Sequence, residues 1–128
     1  DIGANLAKAK PENLVGQLAR CAATGVSRIL VTGTSVRGSE EALELARSAA
    51  ELQPGVRLFC TAGVHPHDAK TCDARTIEAL RRMVRHPECV AIGECGLDYD
   101  RMFSRREVQI EWFEQQASLA AELDMPLF

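Results

Sequence analysis

Two short runs hold the side chains best suited to chemistry, Gly63-Val64-His65-Pro66-His67-Asp68 and Ile92-Gly93-Glu94-Cys95-Gly96-Leu97-Asp98. Each starts apolar and turns abruptly polar, as a strand does when it delivers functional groups from its C-terminal tip. Glu94 has glycines on both sides, which let another group approach the backbone closely. A carboxylate so placed suits a bound metal or a general base. The bland alternative is a solvated loop acid, and the neighbouring residues weigh against it. His65-Pro66-His67 invites reading as a two-histidine metal clip, but the proline favours an extended turn, with His65, nearer the strand, pointing inward. Cys95 has no histidine close in sequence and is expected to pack rather than attack. His86, before Pro87, reads as a helix-end residue.

Four apolar segments must position these groups. Residues 2–6 read as the end of a strand with Asn5 at its tip, and residues 28–33 as a second ending in Thr32-Gly33-Thr34. Residues 58–64 lead to the histidines and residues 89–93 to Glu94, with Asp98 beyond. An amide, hydroxyls, imidazoles and carboxylates then share one rim, a set suited to metal and phosphate.

Between the strands lie amphipathic helices. One spans residues 11–24 and is closed by Gly25, with Leu14, Leu18, Cys21 and Ala22 on its apolar face. The next is expected to be capped by Ser39, with Glu40 and Glu41 in its first turn. Ala42, Leu43, Leu45, Ala46, Ala49 and Leu52 carry it to a stop at Pro54-Gly55. Asp73 opens a third, which buries Ile77, Leu80 and Val84 and ends before Pro87. Ser104-Arg105-Arg106-Glu107 matches a capping box, and the helix behind it sets Val108, Trp112, Leu119 and Leu123 on one side. Asp124-Met125-Pro126 breaks that helix, and Leu127-Phe128 reads as the opening of a fifth strand.

This alternation calls for an α/β protein with a parallel sheet and right-handed crossovers. No G-x-G-x-x-G or P-loop pattern follows any strand, which removes support for dinucleotide and P-loop folds. A complete (β/α)8 TIM barrel takes roughly 250 residues. The expectation is therefore a single domain over residues 1–128, the N-terminal half of a barrel, stopping just after the start of its fifth strand.

The 128 residues are 46% hydrophobic and 26% charged, an ordinary composition for a globular domain with one core. No apolar window approaches the length of a membrane span and no export signal is visible, so a cytoplasmic or nuclear location without membrane contact is expected. A net charge of -3 argues against a broad basic face for nucleic acid. It leaves room for a nuclease whose metal offsets substrate phosphate locally. Arg101, Arg105 and Arg106 form one basic cluster, read as a solvated helix start with phosphate contact as the alternative. Cys21, Cys60, Cys72, Cys89 and Cys95 are odd in number and show no C-x-x-C spacing, which favours reduced thiols. Cys60 and Cys89 fall in apolar strands and are expected in the core.

Asp1-Ile2-Gly3-Ala4-Asn5-Leu6, Leu30-Val31-Thr32-Gly33-Thr34, Thr61-Ala62-Gly63-Val64-His65-Pro66-His67, Ala91-Ile92-Gly93-Glu94-Cys95-Gly96-Leu97-Asp98 and Asp124-Met125-Pro126-Leu127-Phe128 follow one another in the order seen in TatD-family metal-dependent deoxyribonucleases. The chain resembles that family along its whole length. The Gly-Val-His-Pro-His and Ile-Gly-Glu-Cys-Gly-Leu-Asp runs are highly specific together and only suggestive singly. The resemblance implies a TIM-barrel hydrolase of the metal-dependent type that cuts phosphodiester bonds in DNA, with RNA as an alternative, often as a 3′-to-5′ exonuclease. It implies a divalent metal, Mg²⁺ first and Mn²⁺ or Zn²⁺ as alternatives, with Glu94 as a ligand and His65 as an active-site residue. Further family ligands, two histidines and an aspartate, come from later strands; the first would lie just past Phe128. Many members of the wider family also carry His-x-His at the end of strand one. Gly3 and Asn5 stand there instead, as in the TatD branch proper, which puts a fully occupied two-metal site in doubt.

In that chemistry Glu94 anchors the metal, and His65 positions phosphate or shuttles a proton. Asn5, Thr34, His67 and Asp98 are candidates for contacts to substrate or phosphate, Asp98 being equally explained as a solvated turn residue. The complete parent is expected to be monomeric. The 128-residue piece is expected to be inactive and to self-associate through open sheet edges. Two other readings stay open. One is a different metal-dependent hydrolase on the same barrel, such as an aminoacyl-tRNA ester deacylase or a cyclic amidase. The other is a non-catalytic, truncated interaction module.

Overall fold

A computed structural model describes residues 1–6, 11–52 and 54–128. Its centre is a parallel sheet in the order β1 (Arg28–Val31), β2 (Arg57–Ala62) and β3 (Cys89–Ile92). Arg28 to Val31 pair in register with Arg57 to Cys60, and β2 meets β3 with an irregularity between Cys60 and Thr61. Two further segments flank the sheet. Ala4 bridges Val31 in parallel, and Leu127 bridges Ile92 in parallel. The Ala4 amide donates to Leu30 O at 2.9 Å and the Phe128 amide to Ile92 O at 2.8 Å. Five chain segments thus lie side by side in sequence order, the succession of a (β/α)8 barrel.

Each step between neighbours is a helix. α1 (Pro11–Ala23) buries Leu14 and Leu18, with Cys21 and Ala22 partly buried against the core. α2 (Val36–Leu52) buries Ala42, Leu43, Ala46 and Ala49; the Leu52 side chain, expected on that face, lies outside the described residues. α3 (Thr76–Met83) buries Leu80 and Met83, and Ile77 and Val84 pack at the margin. Asp73, expected to open this helix, instead lies in the turn before it, its carboxylate taking the Arg75 amide at 2.8 Å; the helix starts at Thr76 behind Arg75 with no side-chain cap. α4 (Arg106–Glu122) closes the series. Cys60 and Cys89 lie in the core, as their apolar surroundings suggest. Each fully buried Leu, such as Leu18 or Leu80, contributes about 1.5–3 kcal/mol by leaving water.

Three further local expectations give way. Ser39 does not cap α2, which begins three residues earlier with no acid in its first turn. Ser35 takes that role, its Oγ accepting the Gly38 amide at 3.0 Å. Ser104 forms no capping box, since no side chain caps α4 and the residue before the helix is Arg105. The inner face of α4 is also more polar than its apolar residues suggest. Gln109 and Gln116 are buried beside Leu119 and Ala120, whereas Val108 and Trp112 are only half-buried.

Candidate active site

The C-terminal ends of the strands meet because glycines let their backbones touch. A Cβ on Gly63 would overlap the Gly93 backbone, and one on Gly93, whose φ is +140°, would overlap the Phe128 carbonyl. With those side chains absent, the Glu94 amide donates to Gly33 O at 2.7 Å and the Gly93 amide to Ala62 O at 2.9 Å. The Gly93–Glu94 peptide is cis. The His65 amide donates to Thr34 O at 2.9 Å, so residues following β1, β2 and β3 are tied into one rim.

Each histidine faces its own carboxylate. His65 Nε2 lies 3.6 Å from Glu94 Oε1, and His67 Nε2 lies 2.5 Å from Asp98 Oδ2. The two imidazoles touch edge to face, centroids 4.2 Å apart. His65 Nδ1 accepts the His67 amide at 3.1 Å. A nitrogen that accepts carries no proton, so the neutral ring holds its proton on Nε2, aimed at Glu94. Asp98 Oδ1 accepts the amides of Asp100 and Arg101 at 3.1 and 3.0 Å. Those contacts, the Arg101 amide first and then His67, hold the Asp98 carboxyl down at about 2, against an ordinary 3.8.

The other sequence candidates are less engaged. Thr34 contributes its carbonyl to His65, with its side chain half-buried. Asn5 follows the bridge residue Ala4 at the same end of the sheet as Thr32, and its side chain is exposed. Gly3 sits beside the Phe128 ring and the Thr32 hydroxyl, which is buried without a hydrogen-bond partner. Burial, then the Glu94 charge, push the Cys95 thiol up to about 11, which keeps it protonated.

Sequence reasoning missed the groups that hold this rim in place. Gln116 Oε1 accepts the Val64 amide at 2.7 Å while its Nε2 donates to Val64 O at 3.1 Å. Gln109 does the same for Asp98, accepting its amide at 2.8 Å and donating to its carbonyl at 3.0 Å. Ser104 Oγ donates to His67 O and accepts the Lys70 amide, joining the loop after β3 to the 3₁₀ helix Pro66–Thr71. Ser39 Oγ bonds both the amide and the carbonyl of Gly63. The available signal was the seven-residue spacing of the glutamines, which puts both on one helix face.

Among the described residues, no three His, Cys, Asp or Glu side chains gather as a metal-ligand set. Glu94, with its side chain 40% exposed and its Oε1 3.6 Å from His65, presents its carboxylate to the rim. That fits a hard cation which keeps several waters and takes oxygen ligands. The His65 tautomer offers that ion an N–H rather than a lone pair.

A parallel βα sheet whose strand tips unite two carboxylates and two imidazoles has the architecture of part of a (β/α)8 barrel. The family model described as TatD related DNase matches residues 1–128, and the chain belongs to that family. It is 47% identical over 131 residues to the 3'-5' ssDNA/RNA exonuclease TatD of Erwinia amylovora, covering 100% of this chain and 48% of that protein. The protein of the same name from Escherichia coli K12 is 43% identical over 129 residues, covering 100% of this chain and 47% of its own length. The chain thus spans about half the length of these curated relatives. A TatD family hydrolase from Entamoeba histolytica superposes with a TM-score of 0.85 at 27% identity, over 97% of this chain and 46% of that one. An uncharacterised amidohydrolase from Saccharomyces cerevisiae gives 0.83 at 31% identity, over 100% of this chain and 46% of that one.

Proposed function

We propose that residues 1–128 form the first half of a (β/α)8 hydrolase that cleaves phosphodiester bonds of single-stranded DNA or RNA from the 3′ end. The observation that carries this reading is the approach of His65 to Glu94, 3.6 Å apart at the strand tips. Glu94 would hold a divalent ion, Mg²⁺ first and Mn²⁺ or Zn²⁺ as alternatives. When bound, the ion neutralises phosphoryl charge and acidifies a water. His65 directs its Nε2 proton into the same space, where a phosphoryl oxygen can accept it. His67, locked to Asp98, fixes the amide that sets the His65 tautomer. Five free cysteines suit a reducing, cytoplasmic setting. No helix among the described residues is long and apolar enough to cross a membrane.

The test joins Phe128 to the remaining half of the Escherichia coli relative and follows Mg²⁺-dependent release of nucleotides from a 3′-labelled single strand. The 128 residues alone should show little or no turnover, and the joined chain measurable turnover. Glu94→Gln in the joined chain should cost at least about 100-fold, with the circular dichroism spectrum unchanged. Undiminished turnover of that variant rejects the ligand role. Cleavage of an aminoacyl ester or a cyclic amide, with no action on single strands, rejects the nuclease.

A further inference from the structure

Beyond Glu94 the loop after β3 presents a feature the hydrolytic site does not use. Leu97, Tyr99, Met102 and Phe103 are all exposed within seven residues, and Phe103 is 56% exposed. Large apolar side chains gathered on a surface mark a contact site more often than chance placement. Their exposure does not come from a slack loop. Lys70 Nζ donates to Phe103 O at 2.9 Å, Gln109 Nε2 donates to Ser104 O at 2.8 Å, and Ser104 is buried under the 3₁₀ helix. The backbone is pinned on both sides of a ring that is more than half exposed.

The ring is also linked to the site through His67. Phe103 packs edge to face on His67 at 4.7 Å, and His67 packs edge to face on His65 at 4.2 Å. Phe103 is therefore joined through His67 to the His65–Glu94 pair, two ring contacts away. The loop carries three arginines, Arg101, Arg105 and Arg106, and three acids, Asp98, Asp100 and Glu107, so cations are at hand although the segment is neutral as a whole. The Arg105 side chain is 87% exposed, and the Arg106 guanidinium lies 4.3 Å over the Tyr99 ring, which holds it near the same surface. Glu107 lies 3.8 Å from Arg105 and Asp98 lies 3.8 Å from Arg101, and both arginines are exposed enough for these pairs to be weak.

We propose that this loop is a subsite for single-stranded nucleic acid, in which a nucleobase stacks on Phe103 while Arg101 and Arg105 take the flanking phosphates. Exposed aromatics beside arginines are the recurrent means of holding unpaired strands without reading their sequence. A paired base offers no free face to such a ring, so the subsite selects single strands over duplex. This assignment rests on the nuclease reading above for its choice of ligand, and it is tested separately from cleavage.

The experiment is fluorescence anisotropy of the protein in EDTA with three labelled oligomers of equal length: oligothymidylate, its abasic counterpart, and oligouridylate. Oligothymidylate should bind more tightly than the abasic strand. Phe103→Ala should weaken oligothymidylate about ten-fold and leave the abasic strand unchanged, because stacking needs a base. Phe103→Trp should restore binding. Arg105→Gln should weaken both strands alike. Equal affinity for the two strands in the wild-type protein overturns the subsite. So does a Phe103→Ala protein that binds oligothymidylate within two-fold of wild type, or that loses both strands equally. Oligouridylate also presents a stackable base and should bind more tightly than the abasic strand; failure to do so overturns the subsite. If base-dependent binding persists while the joined chain cleaves nothing, the subsite stands and the nuclease falls. If cleavage proceeds without base-dependent binding, the reverse holds.

Discussion

Gln116 acts as an extra backbone unit for Val64, its amide meeting both the Val64 N–H and the Val64 C=O in the way a neighbouring strand would. Val64 immediately precedes His65, so a helix side chain fixes where β2 hands over to the site. Both backbone groups are buried, and a buried group without a partner costs about 1–3 kcal/mol. Gln116→Leu, close in volume but without hydrogen-bonding atoms, should therefore lower the unfolding free energy by about 2–4 kcal/mol. Urea titration measures it. Ser118→Ala, on the exposed side of the same helix, serves as the unchanged control. A Gln116→Leu protein with wild-type stability would mean water replaces both bonds at no cost.

Asp98 supplies the pH dependence. Its carboxyl titrates at about 2 in the folded chain against 3.8 ordinarily, so the folded state favours the ionised form. Depression of a folded-state pKa gives stability that is fully present above about pH 4 and is lost as pH falls toward 2. Denaturation midpoints of wild type and Asp98→Asn, taken between pH 2 and 6, should differ most above pH 4 and converge near pH 2. A difference that stays constant through that window would show that the carboxylate charge plays no part.

Much of the architecture was legible because strands 28–33, 58–64 and 89–93 are short, apolar and terminated by polar residues. Periodicity of that kind depends on neighbours in sequence. What escaped depends on partners far along the chain. Ser39 followed by two glutamates has the local signature of a cap, yet its hydroxyl serves Gly63, 24 residues away. Ser104 has the signature of a capping box, yet it binds His67 O and the Lys70 amide across more than 30 residues. Gln109 and Gln116 count as polar in any pattern of burial, so such a pattern gives the inner face of α4 to its apolar residues instead. The glycines at the strand tips were visible as glycines; that Gly63 lies against the Gly93 backbone was not.

Cys95 offers a test of the site's electrostatics that needs no substrate. Burial and the adjacent Glu94 carboxylate raise its thiol to about 11 from an ordinary 9.0. At pH 8 the thiolate, the form that alkylates, should be about 100-fold scarcer than in an ordinary cysteine. Iodoacetamide labelling read by peptide mass spectrometry should find Cys95 nearly unmodified in the folded protein and fully modified in urea. Glu94→Gln removes the second cause and should speed labelling modestly, burial being the larger. Labelling in the folded state as fast as in urea would place the thiol in open solvent.

The sheet margins carry the last expectation. Ile2, 76% exposed, sits beside the Ala4 bridge on one margin, and Leu127 forms the bridge on the other. Beyond these two segments no further strand is paired among the described residues, so each margin presents backbone donors and acceptors together with a large apolar side chain. Such margins are templates for pairing with another chain. Light scattering should therefore show a mass that rises with protein concentration. Lysine at either position adds a charge that resists desolvation on pairing, so Ile2→Lys together with Leu127→Lys should hold the mass at that of one chain. The paired substitutions leave the buried core untouched, which separates association through the margins from association through unfolding. If the wild-type protein keeps a monomer's mass across the full concentration range, the margins are already satisfied without a partner.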